Sequence, residues 1–98
     1  MDVRFNDDSL DRLETDAGYS GGHGDAVVKA FRKRMQQIRA ASDERVFYAF
    51  RSLHFEKLKG DRAGQYSMKL NDQWRLVLEL KGDAPRKTVH VVEITDYH

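Results

Sequence analysis

The 98-residue sequence predicts an α+β fold in which an N-terminal strand and helices pack on an antiparallel β-meander sheet. Apolar residues recur at every third or fourth position between residues 25 and 40, which is typical of an amphipathic helix. From residue 66 onward they recur at every second position, which indicates strands with one buried side. A chain of this length supports one hydrophobic core, so we expect a single domain over residues 1–98.

The N-terminal residues predict a strand, a short helix and a loop. Val3 and Phe5 alternate with charged neighbours and indicate the first strand. Ser9 is a suitable N-cap for a helix over residues 10–16. Residues 17–24 contain four glycines but no Gly-Lys-Ser/Thr follows them, so we interpret this segment as a flexible loop rather than a phosphate-binding one.

The middle of the chain predicts two helices. Asp25 can cap a long helix that continues to about Ala40, and a shorter helix restarts after Ser42. The apolar residues of the long helix form one stripe, and those of the shorter helix are expected to seal the sheet. The stripe comprises Val27, Val28, Phe31, Met35 and Ile38, and the sealing residues are Val46, Phe47 and Phe50.

The C-terminal third predicts three consecutive antiparallel strands. The first runs from Tyr66 to Leu70, and Asn71-Asp72 supplies residues that tolerate a tight turn. The second runs from Trp74 to Leu80, and Gly82 to Pro85 form the next turn. Thr88 to Thr95 are rich in β-branched residues and indicate the third strand.

Composition excludes several classes of protein. No apolar run approaches the roughly 18 residues that a membrane span needs, so we expect no membrane contact. The absence of cysteine excludes disulfides, thiolate metal sites and a cysteine nucleophile, and the N-terminal residues do not have the layout of a secretory signal. We therefore expect a cytoplasmic protein. Four scattered histidines match no common ligand spacing, so neither a metal nor another cofactor is expected.

The net charge of +1 conceals a strong segregation of charge. Residues 1–28 carry 2 basic and 7 acidic side chains, residues 29–75 carry 12 and 5, and residues 76–98 carry 3 and 4. The central segment could neutralise phosphates if folding gathers its cations on one surface, although a solvated helix face is the common alternative. The cations of the long helix would contact phosphates if the chain binds nucleic acid, and they are Lys29, Arg32, Lys33, Arg34 and Arg39.

Alternation along the second meander strand predicts an exposed cationic surface. The apolar residues of this strand belong to the buried side, so Arg75 is expected on the opposite, solvent-facing side. Lys69 on the preceding strand shares that side. The expected concave surface consists of Lys69, Gln73 and Arg75, adjoined by Lys57, Lys59 and Arg62.

The last residues suggest acid–base chemistry. The phenol of Tyr97 and the imidazole of His98 lie next to each other in sequence and would supply an acid and a base. The alternative is a frayed tail without a function, since terminal residues are often poorly ordered.

Three segments, in the same order along the chain, resemble the HigB branch of the RelE/ParE toxin superfamily. They are Leu-Lys-Gly-Asp-Arg-Ala-Gly-Gln-Tyr-Ser at residues 58–67, Asn-Asp-Gln-Trp-Arg-Leu at residues 71–76 and Glu-Ile-Thr-Asp-Tyr-His at residues 93–98. The resemblance implies a RelE-like fold and a toxin of a type II toxin–antitoxin system. Such toxins bind the A site of translating 70S ribosomes and cut mRNA there without a metal. It also implies a HigA-like helix-turn-helix antitoxin as partner, with operator DNA bound only through the complex of the two.

The resemblance also implies which residues act. The strand arginine of the family falls on Arg75 and its lysine on Lys59, and both are expected to stabilise charge on the phosphate. The C-terminal Asp-Tyr-His falls on residues 96–98, where Asp96 would orient an imidazole and Tyr97 and His98 would transfer protons, in an order that the sequence leaves open. The polar residue before the tryptophan falls on Gln73. Binding of substrate is assigned to Lys57, Arg62, Lys69 and Gln73, and contact with ribosomal RNA to the five cations of the long helix.

One family position is not matched directly. The further histidine of the family stands three residues before its lysine, where this chain has Glu56. His54 lies two residues earlier, on the same side of an extended chain, and we expect it either to keep the catalytic role through a shifted loop or to leave that role weakened. Two alternative functions remain: a ParE-like non-enzymatic toxin that acts on DNA gyrase, and an inert basic RNA-binding module.

Overall fold

The computed structural model describes residues 1–84 and 86–96 and confirms the α+β class. Within these residues the strands are β1 (Asp2–Phe5), β2 (Glu56–Lys57), β3 (Gln65–Lys69), β4 (Trp74–Lys81) and β5 (Thr88–Asp96), and the α-helices are α1 (Asp8–Thr15), α2 (Asp25–Ala40) and α3 (Arg45–Ala49). The strands form one sheet in the order β1-β5-β4-β3-β2. β3, β4 and β5 are the predicted antiparallel meander, whereas β1 joins β5 in parallel, so the sheet is mixed.

Helix α1 begins two residues earlier than the sequence predicts. The carboxylate of Asp7 accepts a hydrogen bond from the backbone N–H of Leu10 at 3.0 Å, so Asp7 is the N-cap. Ser9, the predicted cap, lies inside the helix and forms a hydrogen bond with the hydroxyl of Tyr19 at 2.9 Å. Two candidate caps stand close together here, and the sequence pattern does not choose between them.

Helix α2 has the predicted bounds and supplies the centre of the core. Gly24 is its N-cap and Asp25 is its first residue, so the prediction that the Asp25 side chain caps this helix is wrong. The carboxylate still lies in the first turn, where the helix dipole favours negative charge. The apolar stripe packs against the meander. Its fully buried members are Phe31, Met35 and Ile38, and the sheet contributes Met68, Leu76, Leu78, Val89 and Val91.

Helix α3 is short, and one of its predicted sealing residues is exposed. Phe47 is buried, but 50% of Phe50 is accessible to solvent, because α3 ends at Ala49 and the backbone turns to an extended conformation at Phe50. Phe55 is buried in the core instead and takes over the sealing role predicted for Phe50. Its ring stacks on Tyr66 with the ring centroids 5.2 Å apart and lies 5.3 Å from the ring of Phe47.

The sheet has a helix-covered side and an opposite side, which we call the open face. Cross-strand pairs place Met68 and Leu76 on the helix-covered side, and Lys69 and Arg75 on the open face. The short edge strand β2 adds Glu56 to the open face, opposite Ser67 in the register. In the part of the chain that the structure describes, no helix is long and apolar enough to cross a bilayer.

Candidate active site

Arg75 lies on the open face, as alternation predicts, but its predicted exposure is wrong. Only 8% of the residue is accessible to solvent. Alternation fixes the side of a strand to which a residue belongs, whereas burial depends on what covers that side. Here neighbouring polar groups cover it, including the backbone before β2 and the side chains of Ser67 and Glu56.

Groups from several elements of the described chain contact the guanidinium of Arg75. Its Nε donates to the hydroxyl oxygen of Ser67 at 2.9 Å, and Ser67 lies on the neighbouring strand β3. Its Nη2 donates to the backbone carbonyl of His54. The carboxylate oxygen Oε1 of Glu56 lies 3.5 Å from Nη2. A cation this deeply buried needs such partners, because removing a charge from water without compensation is costly.

His54 does not lie on an extended chain. The turn Arg51–Leu53 is a 3-10 helix, and His54 ends it in the left-handed conformation with φ 47° and ψ 48°. The expectation that His54 and Glu56 share one side of an extended segment is therefore wrong, because a left-handed residue interrupts the alternation. The side chain of His54 is exposed, and its carbonyl is turned toward Arg75.

A cavity of about 220 Å³ opens beside the Arg75 guanidinium. Groups of both charge signs line it, so the expected purely cationic surface is in fact mixed. Its lining residues are His54, Glu56, Lys69, Asn71, Asp72 and Arg75. This site can bind an anion at the cations, and its carboxylates can accept a proton.

The end of β3 and the following turn form one wall of the cavity. Lys69 stands directly opposite Arg75 in the strand register, and its Nζ lies 3.1 Å from the carboxylate of Asp72. The side chain of Asn71 accepts from the backbone N–H groups of Gln73 and Trp74 and so fixes the turn. Lys69 therefore lines the cavity, with an acidic neighbour beside it.

The other cations expected beside Arg75, which are Lys57 and Arg62 for substrate binding and Lys59 for charge stabilisation, do not gather at the cavity. Lys57 is in register with Tyr66 and so belongs to the helix-covered side, because paired residues point to the same side of a sheet. Lys59 is exposed at the start of the turn that precedes β3. Arg62, just before β3, lies on the open face and pairs with Glu93 of β5 at 2.6 Å. This ion pair crosses β4, which lies between β3 and β5 in the sheet.

The C-terminal residues assigned to catalysis lie partly outside the described residues. Asp96 is the last described residue, it is in register with Trp74, and its carboxylate accepts from Nε2 of Gln73 at 2.9 Å. Tyr97 and His98 fall outside the described residues. Asp96 ends β5, on the strand that flanks Arg75, since Thr95 and Arg75 are cross-strand partners.

Three of the five helix cations assigned to RNA are engaged within the chain. Arg32 donates to three backbone carbonyls of α1 and the loop that follows it. Arg39 binds both carboxylate oxygens of Glu14 at 2.7 Å, and this pairing raises the pKa of Arg39. Arg34 donates to the carbonyl of Lys69 at 2.8 Å, and burial lowers its pKa. These arginines fasten α2 to its neighbours.

The two lysines of α2 differ from the arginines. Lys29 and Lys33 are exposed, and neither forms an ion pair or side-chain hydrogen bond within residues 1–84 and 86–96. Since they are four residues apart, they lie on the same side of α2. They are the members of the predicted set best placed for a phosphate backbone. The same described ranges contain no group of three histidine, aspartate or glutamate side chains that could hold a metal ion.

Two residues of the site carry little signal in the sequence. Ser67 belongs to a family segment and to the side of β3 opposite Met68, but a serine in a strand indicates no function of its own. Glu56 stands out as a departure from the family pattern rather than as a functional residue. Its place in the edge strand β2, and its contact with Arg75, became evident from the fold.

Comparison with known proteins identifies the family. Residues 3–98 match the sequence model of the RelE-like toxin of the type II toxin–antitoxin system HigB. The chain belongs to this HigB-like toxin family. The resemblance of the three sequence segments is thereby confirmed over nearly the whole chain. A toxin of such a system is paired with an antitoxin, so this HigB-like toxin has an antitoxin as partner.

Solved structures agree with the family at the level of the fold. The chain is similar to a YoeB/ParE toxin from Agrobacterium tumefaciens, with a TM-score of 0.59 and 19% identity over 100% of both chains. It is similar to a YoeB dimer from Staphylococcus aureus, with a TM-score of 0.52 and 19% identity over 100% of this chain and 97% of the other. It is also similar to the toxin–antitoxin complex RelBE2 from Mycobacterium tuberculosis, with a TM-score of 0.50 and 17% identity over 97% and 95%. At these identities the likeness confirms the RelE-like fold alone. No curated protein matches the sequence.

Proposed function

We propose that this HigB-like toxin is a ribosome-dependent endoribonuclease that cuts translated mRNA and thereby stops translation. The observation that carries the proposal is the Arg75 guanidinium, which is held rigidly at the edge of an open cavity in a chain of this family. A fixed cation of this kind stabilises charge that develops on a phosphate, and it does so without reorganising during the reaction.

The proposed reaction begins at a ribose 2′-hydroxyl. A base removes its proton, the oxygen attacks the adjacent phosphorus in line, and the bond to the 5′-oxygen of the next nucleotide breaks. The products are a 2′,3′-cyclic phosphate and a 5′-hydroxyl, whose proton an acid supplies. Arg75 and Lys69 flank the phosphate in this scheme, while Lys59 reaches the RNA backbone from its exposed turn.

Glu56 and the C-terminal residues share the proton transfers in this proposal. The carboxylate of Glu56 lines the cavity 3.5 Å from Arg75, and half of its side chain is exposed, so a 2′-hydroxyl next to a bound phosphate can reach it. Tyr97 and His98 follow the strand that flanks Arg75 and would serve at the leaving oxygen, with Asp96 orienting the imidazole.

The ribosome supplies what this small site does not. Alignment of the 2′-oxygen, the phosphorus and the leaving oxygen removes several kcal/mol from a barrier of this kind, and a ribosome that holds the mRNA bent can provide it. Lys29 and Lys33 are the proposed contacts to ribosomal RNA. The proposed site of action is the cytoplasmic 70S ribosome, at its A site.

We assign a HigA-like helix-turn-helix protein as the antitoxin. The support is the family itself, whose members belong to HigB systems. In this proposal the toxin does not bind operator DNA directly, and the antitoxin complex does so. Isolating the toxin from its native operon together with a stoichiometric DNA-binding protein would support the assignment, and isolating it with a partner that binds no DNA would contradict it.

Cleavage of translated mRNA is the direct test. Purified toxin is added at neutral pH to ribosomes stalled on a defined mRNA, with and without EDTA, and the RNA ends are mapped and tested for a 5′-hydroxyl. We expect cuts in the A-site codon in both samples and none when the same mRNA is free. Intact mRNA together with inhibited gyrase supercoiling would instead indicate a ParE-like toxin, and loss of both activities would indicate an inert binding module.

A variant pair tests the proton transfer within that assay. Glu56→Gln keeps the shape of the side chain but does not accept a proton, and loss of a general base costs about 10² to 10⁴ in rate. Asp72→Asn changes the other carboxylate of the cavity and is the matched control, with little loss expected. Equal rates for Glu56→Gln and the unmodified toxin would remove Glu56 from the mechanism.

A further inference from the structure

Two neutral acceptors, which we call the socket, are among the groups that hold Arg75. One is the Ser67 hydroxyl on β3, and the other is the backbone carbonyl of His54 at the end of the 3-10 turn. Ser67 is 2% exposed, and it and Arg75 are the buried polar residues among those described. A buried serine beside a buried arginine has its hydroxyl committed to that arginine.

The chemistry of the guanidinium explains why two acceptors matter. Its donors lie in one plane, so acceptors at Nε and Nη2 fix both the position of the plane and its rotation about the last side-chain bonds. Loss of either acceptor would therefore weaken the control of this plane. The cavity contacts the same guanidinium, so the socket sets the direction from which Arg75 meets a bound phosphate.

The left-handed turn supplies the second acceptor. His54 is the non-glycine residue with positive φ within residues 1–84 and 86–96, and its carbonyl is the one that binds Arg75. Such conformations cost energy in residues with a Cβ and are retained where the surrounding structure fixes them. The contact between this carbonyl and Arg75 gives the unusual conformation a physical role.

We propose that Ser67 and the main chain of His54 are positioning residues that fix Arg75 for phosphate, and that the His54 imidazole is not needed for the cleavage. The inference rests on the proposed endoribonuclease function. It assigns a new role to Ser67, and it moves the contribution of His54 from its side chain to its carbonyl.

The first test removes the Ser67 acceptor. Ser67→Ala removes the acceptor at Nε and so loosens the orientation of the guanidinium, and a displacement of about 1 Å from the reacting geometry can cost about 10²-fold in rate. We expect the single-turnover rate on ribosome-bound mRNA to fall by about that factor, with little change in the toxin concentration that gives half-maximal rate. A wild-type rate would overturn the proposal.

A double-mutant cycle separates positioning from other effects. If Ser67 acts through Arg75, then Ser67→Ala has no further effect on the residual rate of Arg75→Ala. Additive losses would show that Ser67 acts independently and would contradict the inference. Val77→Ala is the control for stability, because Val77 is buried opposite Ser67 on the same side of the sheet. It should lower the melting temperature and leave the rate unchanged.

The second test separates the two parts of His54. His54→Gly removes the imidazole but keeps the carbonyl, and glycine adopts the left-handed conformation without strain. We expect it to cleave within a few-fold of the unmodified toxin. A loss of about 10² or more would assign the imidazole to proton transfer and refute our assignment. Failure of the proposed function gives a different result, because the unmodified toxin itself would then leave the mRNA intact.

Discussion

Replacing Arg75 separates its structural role from its chemical role. Arg75→Ala removes the cation from the cavity and leaves the Ser67 hydroxyl and the His54 carbonyl without their arginine partner. The open cavity next to them admits water, which can replace the missing donors. Each hydrogen bond to a charged group that is removed costs about 1.5 to 3 kcal/mol before that compensation, so we expect a net destabilisation of about 1 to 2 kcal/mol.

The expected effect on chemistry is larger than the effect on stability. Loss of a preorganised donor to a transition-state charge costs about 3 to 4 kcal/mol, or two to three decades in rate. A destabilisation of about 1 to 2 kcal/mol corresponds to a fall in Tm of about 4 to 16 °C for a domain of this size. The variant should therefore fold at 25 °C and bind its antitoxin, yet no longer arrest growth when expressed.

Arg75→Lys sharpens the experiment. Lysine keeps the charge, but its single ammonium does not reproduce the planar pair of donors that meets Ser67 and His54. We expect a rate between those of the alanine variant and the unmodified toxin, measured by single-turnover cleavage and accompanied by thermal melting. If Arg75→Ala is folded and still cleaves at the unmodified rate, the assignment of charge stabilisation to Arg75 is wrong.

Three further predictions concern other parts of the molecule. Met35 is fully buried in α2, so Met35→Ala should cost about 2 to 5 kcal/mol in a denaturant titration, and a smaller loss would mean that the core repacks. Hydrogen bonds from Arg45 lower the pKa of Asp43 from 3.8 to about 2, so the pair should stabilise the fold above pH 3.8 and lose that contribution as the pH falls toward 2. A pH titration of the Asp43 carboxyl by NMR should have its midpoint at about 2, and Arg45→Ala should return that midpoint toward 3.8. Lys29→Glu together with Lys33→Glu should weaken ribosome binding. The slope of log affinity against log salt concentration should become shallower by about 0.7 to 0.9 for each phosphate that the toxin no longer neutralises, and an unchanged slope would place the RNA-binding surface elsewhere.

The longer helices and strands were predictable from sequence, because their apolar residues recur with a regular period over many positions. α2 was predicted with its observed bounds because apolar residues mark its buried side over four turns, and the meander strands were found in the same way. β2 escaped prediction because two residues carry no period. The predicted cap of α1 is wrong because Asp7 and Ser9 stand close together and Ser9 bonds Tyr19 instead, and the predicted cap of α2 is wrong because Gly24 takes the cap position without a side-chain hydrogen bond.

The candidate site was predictable in its parts but not in its assembly. Alternation placed Arg75 and Lys69 on one face, and the family resemblance indicated Arg75 and residues 96–98. Neither source indicated that Arg75 is buried, because one acceptor comes from a 3-10 turn that the sequence does not predict and the other from a position in β3 that depends on the exact strand register. The substrate role of Arg62 stays a prediction, and its pairing with Glu93 means that RNA would have to displace an existing partner.

The charges of the cavity bear on why the proposed reaction would need a ribosome. Arg75 lies beside Glu56, and Lys69 lies beside Asp72, so each cation of the cavity has a carboxylate within 4 Å. Among the described residues, the cavity carries two charges of each sign and does not attract a polyanion over long range, because the opposing fields cancel beyond about a Debye length. Free RNA would thus gain little by approaching this site. In the proposed reaction, binding energy would have to come from contacts outside the cavity, and a ribosome that holds both the toxin and the mRNA would supply them, so the reaction would depend on translation without any separate switch in the toxin.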